Sequence, residues 1–360
     1  MNKDVCEYTI IQENIDNIDQ SDNCTSFDQS NLWYTHFIKY FHSPEDVIVL
    51  SAVDTSQDKI ASLFLTTATI QPNKLQCLFS LSNYYSSRAG IVFYTKCTEQ
   101  QKRNITELII KYIRKKLNHF HCIYLEPLRN NDQTTQYLTD SLKANKYWCI
   151  SYVKSGNWYH QLTDNKFDTY FEKLPSRVKN TITRKRNHIE KNYDFEIKIS
   201  HKYDDILQLF GDYETVYRKS WKKTEPHPEF IKDFALASAT KGWARLGILY
   251  IENKPIAAQL WFVKDRIASI FKLSYDQEYK SLSAGSILTV ELIRYAVEID
   301  NVNLLDYLTG DDNYKKDWMS NRSELLGLNI YNPHSITGFL IGLSEIIKHR
   351  LGKVLKFNKT

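Results

Sequence analysis

The chain has 360 residues, 42% of them hydrophobic, enough for one large or two ordinary domains. Its net charge of +5 is a mild basic bias, which permits an acidic ligand without demanding nucleic acid. No run of about 18 apolar residues is present, the cysteines (Cys6, Cys24, Cys77, Cys97, Cys122, Cys149) lack C-x-x-C spacing, and the first residues lack the apolar core of a signal peptide. Together these argue against a membrane span, a zinc site or a disulfide frame, and set the expectation of a cytoplasmic protein with free thiols.

Residues 1–28 are rich in Asn, Asp and Gln, with a short strand expected near 8–11. Ser30 is placed to cap a helix that runs through Phe41. Residues 46–53, 60–69 and 76–81 read as strands. Residues 99–117 carry Ile105, Leu108, Ile109, Tyr112 and Ile113 on one face and read as an amphipathic helix. A strand at 122–126, a helix at 134–144 and two strands at 147–153 and 158–162 follow. The loop 83–88, with Tyr84, Tyr85 and Arg88, is either an aromatic-anchored surface loop or a substrate-facing one.

The boundary between halves falls at 164–168. Residues 167–174 read as a helix, and Pro175 suits the first turn of a second one. That helix carries Arg177, Lys179, Arg184, Lys185, Arg186 and Lys191. It is either a solvated cationic face or a surface for an acidic substrate or a nucleic-acid backbone. A strand at 195–200 and helices at 203–220 and 229–240 lead into a meander at 243–250, 256–263 and 267–275. The connector 221–228 is either a plain helix–helix loop or a cover for an acceptor.

Residues 267–318 concentrate the chemistry. A strand leads into a polar loop ending in Ser283, Ala284 and Gly285, and a helix follows over 286–299. Small residues let a ligand approach the backbone, and a helix start presents free N–H groups and a positive dipole end. Phosphate is the ligand that such a start favours. A second strand, 302–306, runs into a tail dense in carboxylates and aromatics, ending at Trp318. After a strand at 325–331, residues Ile336, Phe339, Leu340, Leu343, Ile346, Ile347 and Leu351 share a helical face expected to dock on the core. The basic end of that helix (Lys348, His349, Arg350, Lys353, Lys356) either complements the helix dipole or meets a membrane surface.

Lys280-x-x-Ser283-x-Gly285 is similar to the pyrophosphate loop of GNAT acyltransferases, usually Gln/Arg-x-x-Gly-x-Gly/Ala, with Lys and Ser as departures. The wider order resembles the CelD-like (cellulose biosynthesis protein-like) branch of that superfamily, which is related to FemAB peptidyltransferases. It runs from the Arg/Lys-rich helix through Tyr217 and Trp221, then Ile256-Ala257-Ala258, then Tyr275-Asp276 and Tyr279. It ends with Asp306-Tyr307, Gly310-Asp311, Tyr314-Lys315 and Trp318. The likeness covers residues 165–333 well and the first half faintly.

The resemblance implies an α/β (α+β mixed) fold of two tandem GNAT-like lobes, each a mixed, mostly antiparallel central sheet flanked by helices. The lobes are expected at 1–163 and 164–333, with a C-terminal amphipathic helix at 334–360. It implies acetyl-CoA or another acyl-CoA as donor. Leu273, Ser274 and Tyr275 would lie along the pantetheine, between splayed strands, and Lys280, Ser283, Ala284, Gly285 and Ser286 at the pyrophosphate. Trp221, Gln259 and Trp318 would face the acceptor, a small metabolite or saccharide (a sugar or sugar nucleotide) offering an amine or hydroxyl. Asp306 and Asp311 are candidates for the base, and Tyr314 for the proton donor to the thiolate, with Lys315 beside them. Each also has a structural reading, as turn-former, ion-pair partner or core aromatic. No metal-ligand motif, Walker loop, dinucleotide fingerprint or Ser/His/Asp set is present. A FemAB-like transferase using aminoacyl-tRNA, with tRNA as partner, and a GNAT-fold binding protein without turnover stay open.

Overall fold

A computed structural model of the chain describes residues 8–13, 15 and 24–357. The elements run β1 (Thr9–Glu13), α1 (Asn31–Phe41), β2 (Val47–Val53), β3 (Lys59–Ile70), β4 (Leu75–Ser80), β5 (Ile91–Phe93), α2 (Glu99–Lys116), β6 (Cys122–Arg129), α3 (Gln133–Ala144) and β7 (Trp148–Gln161). They continue with α4 (Phe167–Lys173), α5 (Ser176–Asn192), β8 (Phe195–Ser200), α6 (Tyr203–Lys219), α7 (Pro228–Thr240), β9 (Ala244–Ile251), β10 (Lys254–Lys264) and β11 (Ile267–Tyr275). The last are α8 (Ala284–Glu298), β12 (Leu304–Thr309), β13 (Asn321–Tyr331) and α9 (Ile336–Phe357).

The chain divides into two compact units. The first holds the described residues up to Cys24, then Asp28–Ser155 and Ser323 onward; the second holds Thr25–Phe27 and Gly156–Arg322. Each is a mixed, mostly antiparallel sheet flanked by helices. In the first, the strand order is β1-β2-β3-β4-β6-β13, with β13 next to the start of β7 and β5 on the side of β3. β4 and β6 pair parallel. Its core gathers Leu50, Leu63, Leu78, Ile109, Ile113 and Leu125. In the second, the order is β8-β9-β10-β11-β12 and then the end of β7, and only β11–β12 is parallel. Its core packs α8 (Ile287, Leu288, Leu292, Ile293) on Leu249, Trp261 and Ile270.

Four expectations change. The two strands expected at 147–153 and 158–162 are one, β7 over Trp148–Gln161, because Gly156 continues the ladder instead of turning it; its last part pairs with β12. Residues 323–333 belong to the first unit and not to the second lobe, because β13 pairs antiparallel with β6. The terminal helix belongs to that same unit rather than standing apart. It docks by its glycines, and much of its apolar face is exposed. Cys6 lies outside the described residues, and Cys77, Cys97, Cys122 and Cys149 are free thiols.

Candidate active site

The second unit opens a cavity of about 570 Å³ where its one parallel pair ends. β11 and β12 pair over residues 267–269 and 304–306. Past that point Leu273 and Tyr275 of β11 line one wall and Tyr307 of β12 another. Alternation along a strand decides which neighbours take part. Ser274, between Leu273 and Tyr275, is buried and donates its hydroxyl to the Ala258 carbonyl at 3.2 Å.

The floor is the start of α8. Asp276 is buried, and its Oδ1 accepts from the Glu278 amide at 3.0 Å, shaping the short 3-10 turn that precedes the helix. Ser283 then takes left-handed backbone angles, φ 56° and ψ 34°, a conformation that favours glycine. The family glycine that Ser283 replaces fits this position for that reason. Ser283 makes no side-chain cap, and the first turn of α8 holds no acidic residue. The helix start therefore offers N–H groups and a positive dipole end to the cavity. Ser283, Gly285 and Ser286 line it, with Lys280 at the rim. Gly285 lies so close to Tyr275 that an added Cβ would sit 3.1 Å from the ring. Ala284 is buried in the core instead.

Gln259, expected to meet the acceptor, is fully buried beneath this loop. Its Nε2 donates to Gly285 O (3.0 Å) and Thr289 Oγ1 (2.8 Å), and its Oε1 accepts from Trp261 Nε1 at 2.9 Å. It is a strut for the helix start and not a substrate contact. Trp221, from the connector after α6, packs on Tyr275 with ring centroids 4.6 Å apart and planes tilted by 37°, and lines the cavity. Trp318 lines it too, held by Tyr170, whose hydroxyl donates to the Trp318 carbonyl at 3.0 Å.

The expected bases do not reach the cavity wall. Tyr307 faces in, so Asp306 next to it faces away. Asp306 is fully buried, and its Oδ1 accepts from Asn157 Nδ2 (2.6 Å) and the Leu308 amide (2.8 Å). Asp311 is exposed and turned to Arg322 (2.5 Å) and Trp158 Nε1 (2.8 Å). The Arg322 hydrogen bond, then that from Trp158, holds its carboxyl down at about 2. Lys315 is buried, and its ammonium donates to the carbonyls of Tyr307 (3.2 Å) and Thr309 (2.9 Å), which folds the tail. Burial lowers its pKa, against the pull of Asp312. Tyr314 does line the cavity; burial first, then Asp312, raises its pKa.

The carboxylates that line the cavity are Asp312 and Asp317. Asp317 pairs with Arg177 at 2.6 Å. Arg177 and Thr181 bring α5 to the wall, and Thr289 adds a hydroxyl one turn into α8. Half-buried Lys222 follows Trp221. Burial first and Lys272 second lower its pKa to about 8, while Glu225 and Asp312 act in the opposite direction. Sequence reasoning passed over Asp312, Asp317 and Thr289, and met Lys222 only as part of the connector that either covers an acceptor or joins two helices. Arg177 stood in the cationic run, with nothing in the sequence to aim it inward.

A helix start without a side-chain cap thus stands beside two strands that part after residues 269 and 306. Residues 176–316, which hold the whole cavity floor, match the acetyltransferase (GNAT) domain family. The chain has a GNAT-superfamily, FemAB-related fold, shared with three solved structures of low identity. FemX superposes with a TM-score of 0.62 at 11% identity, over 90% of this chain and 97% of its own. The C-terminal domain of a provisional lysylphosphatidylglycerol synthetase from Agrobacterium fabrum gives 0.55 at 11%, over 92% and 96%. A conserved protein of unknown function from Bacteroides thetaiotaomicron gives 0.53 at 12%, over 90% and 100%. No curated protein matches the sequence.

Proposed function

We propose that this acyltransferase takes its acyl group from an acyl-CoA, with acetyl-CoA as the reference donor, and passes it to an amine or hydroxyl of a small metabolite or saccharide. One observation carries the reading: the uncapped, acid-free start of α8 opens into the cavity between β11 and β12. The N–H groups of Ala284 and Gly285 and the Lys280 ammonium suit a pyrophosphate. The edge of β11 at Leu273 and Tyr275 suits the pantetheine arm. The acceptor nitrogen or oxygen attacks the thioester carbon, the new C–N or C–O bond forms, and the C–S bond breaks. In this reading Tyr314, which lines the cavity, returns a proton to the thiolate, and Asp312, within electrostatic reach of Lys222, takes the acceptor's proton.

Aminoacyl transfer from a charged tRNA is a second reading. The observation in its favour is α5, with Arg184 exposed, Lys185 half-exposed and Arg177 on the cavity wall. One solved structure of similar fold is the C-terminal domain of a provisional lysylphosphatidylglycerol synthetase. Melting curves with acetyl-CoA, free CoA and aminoacyl-tRNA separate the two. A donor present at about 100 times its Kd stabilises by about 2.7 kcal/mol. Acetyl-CoA and CoA are expected to raise the melting temperature and tRNA to leave it unchanged. A rise with charged tRNA alone would transfer the reading to aminoacyl transfer.

A further inference from the structure

α9 meets the rest of the first unit through small residues. A Cβ on Gly338 would collide with the carbonyl oxygens of Asn332 and His121, and one on Gly342 would sit 2.7 Å from Tyr331 and 2.8 Å from Trp148. Ile341, on the same side, packs by Tyr331, Cys77 and Cys122. Close approach of this kind needs glycine. The side chains that give the helix its apolar face consequently point elsewhere. Ile336, Leu340, Leu343, Ile347 and Leu351 recur at helical spacing and are 83, 60, 41, 49 and 57% exposed. Five aliphatic side chains in one line on the outside of a helix are not the scattered exposure of an ordinary surface.

Charge says what meets them. Lys348, which pairs with Glu345 at 2.7 Å, and His349 and Arg350 are exposed beside the stripe. From Ile346 to the end, the sequence adds Lys353, Lys356 and Lys359 and contains neither aspartate nor glutamate. A second copy of the same stripe would bring these cations against one another. Anionic headgroups would neutralise them while the acyl boundary takes the aliphatic side chains. No helix among the described residues is long and apolar enough to cross a membrane, so the contact would be in the interface plane.

We propose that α9 is an interfacial helix that seats the protein on an anionic lipid surface through Ile336, Leu340, Leu343, Ile347 and Leu351, flanked by Lys348 and Arg350. The inference does not depend on the identity of the acyl donor. The test is co-sedimentation of the full chain with phosphatidylcholine vesicles, with and without about 30% phosphatidylserine. Binding to the anionic vesicles is expected, with little to the neutral ones and a fall as salt rises. The triple variant Leu340→Ser, Leu343→Ser, Ile347→Ser should lose binding by on the order of tenfold or more. Lys348→Glu with Arg350→Glu should do the same for anionic vesicles. Both variants alter exposed side chains, so melting temperature and CoA binding should stay as in the parent. Wild-type protein left in the supernatant, or variants that bind as well as wild type, would overturn the proposal. A dimer that the triple variant disperses, without vesicle binding, would overturn it too and assign the stripe to a second copy.

Discussion

Both units pass from a three-stranded meander into a helix and back to a parallel strand: β2-β3-β4, α2 and β6 in the first, β9-β10-β11, α8 and β12 in the second. In both, the parallel pair holds for three residues, 77–79 with 122–124 and 267–269 with 304–306. In the first unit hydrogen bonds then bridge the strands. The Glu126 amide donates to Ser80 Oγ (2.9 Å), Ser82 Oγ donates to Glu126 O (2.6 Å), and the Ala89 amide donates to Pro127 O (2.7 Å). In the second unit the corresponding place is the cavity. The helix starts differ in the same sense. Thr98 and Gln101 close a capping box on α2, and Glu99 puts a carboxylate in its first turn. α8 has neither a side-chain cap nor an acid there. Splayed strands alone do not make a site. What matters is whether the gap and the helix start are already satisfied from within.

The largest expected effect tests the helix start. Gly285→Glu pushes a side chain toward Tyr275 and sets a carboxylate at the end of α8 that should receive an anion. Titration calorimetry with acetyl-CoA should show a loss of roughly 1,000-fold or more, about 4.1 kcal/mol. Gln100→Glu, in the exposed first turn of α2, is the matched control and should leave affinity unchanged. Equal affinity in parent and Gly285→Glu would remove the distinction between the units.

The second test concerns charge at the open end of the gap. Asp312→Asn should lower single-turnover rate by about 100-fold or more while CoA affinity holds. Asp306→Ala should instead cost about 1–3 kcal/mol of stability, since the buried Asn157 and Leu308 donors would lose their acceptor. Lys222 supplies the pH dependence. Charged below about 8 and neutral above, it should appear as a limb rising through pH 8 in kcat/KM, and Lys222→Met should flatten that limb. The same depression should make stability rise with pH from about 8 toward the ordinary lysine value, because the unfolded chain binds more protons across that window. A rising limb unchanged in Lys222→Met would assign it to the acceptor's own amine.

Much of this was legible in the sequence, and the rest fails for identifiable reasons. Periodicity located the long helices and the meander, because burial imposes a repeat on the residues themselves. The loop Lys280–Gly285 was legible because small residues before a helix have a local cause. Side-chain direction was not. Whether Asp306 or Tyr307 faces the cavity depends on register with Ser269 and Tyr159, which no local pattern sets. The irregularity between Asp306 and Thr309, with Leu308 at φ 56°, re-aims the tail, so Asp312 reaches the wall and Asp311 does not. In α9 the repeat was visible, but Gly338 and Gly342 chose the docked side.

The smallest effect asked for is in the first unit, and it sharpens the contrast from the closed side. Thr98 Oγ accepts from the Gln101 amide at 3.2 Å, and Gln101 Oε1 accepts from the Thr98 amide at 2.8 Å. Thr98→Ala removes the first bond and frees the second partner, at a cost of about 1 kcal/mol in stability. α2 would then expose N–H groups as α8 does, but Glu99 remains in the first turn, bonded to Lys102 (3.0 Å) and accepting from the Tyr137 hydroxyl (2.6 Å). The negative charge should keep the opened helix start from taking phosphate. Denaturant melts should therefore show the stability loss while acetyl-CoA titration gives one site with unchanged affinity. Appearance of a second, weaker CoA site in Thr98→Ala would mean that the cap alone separates the units. Its appearance only in Thr98→Ala with Glu99→Gln would give the carboxylate the deciding part.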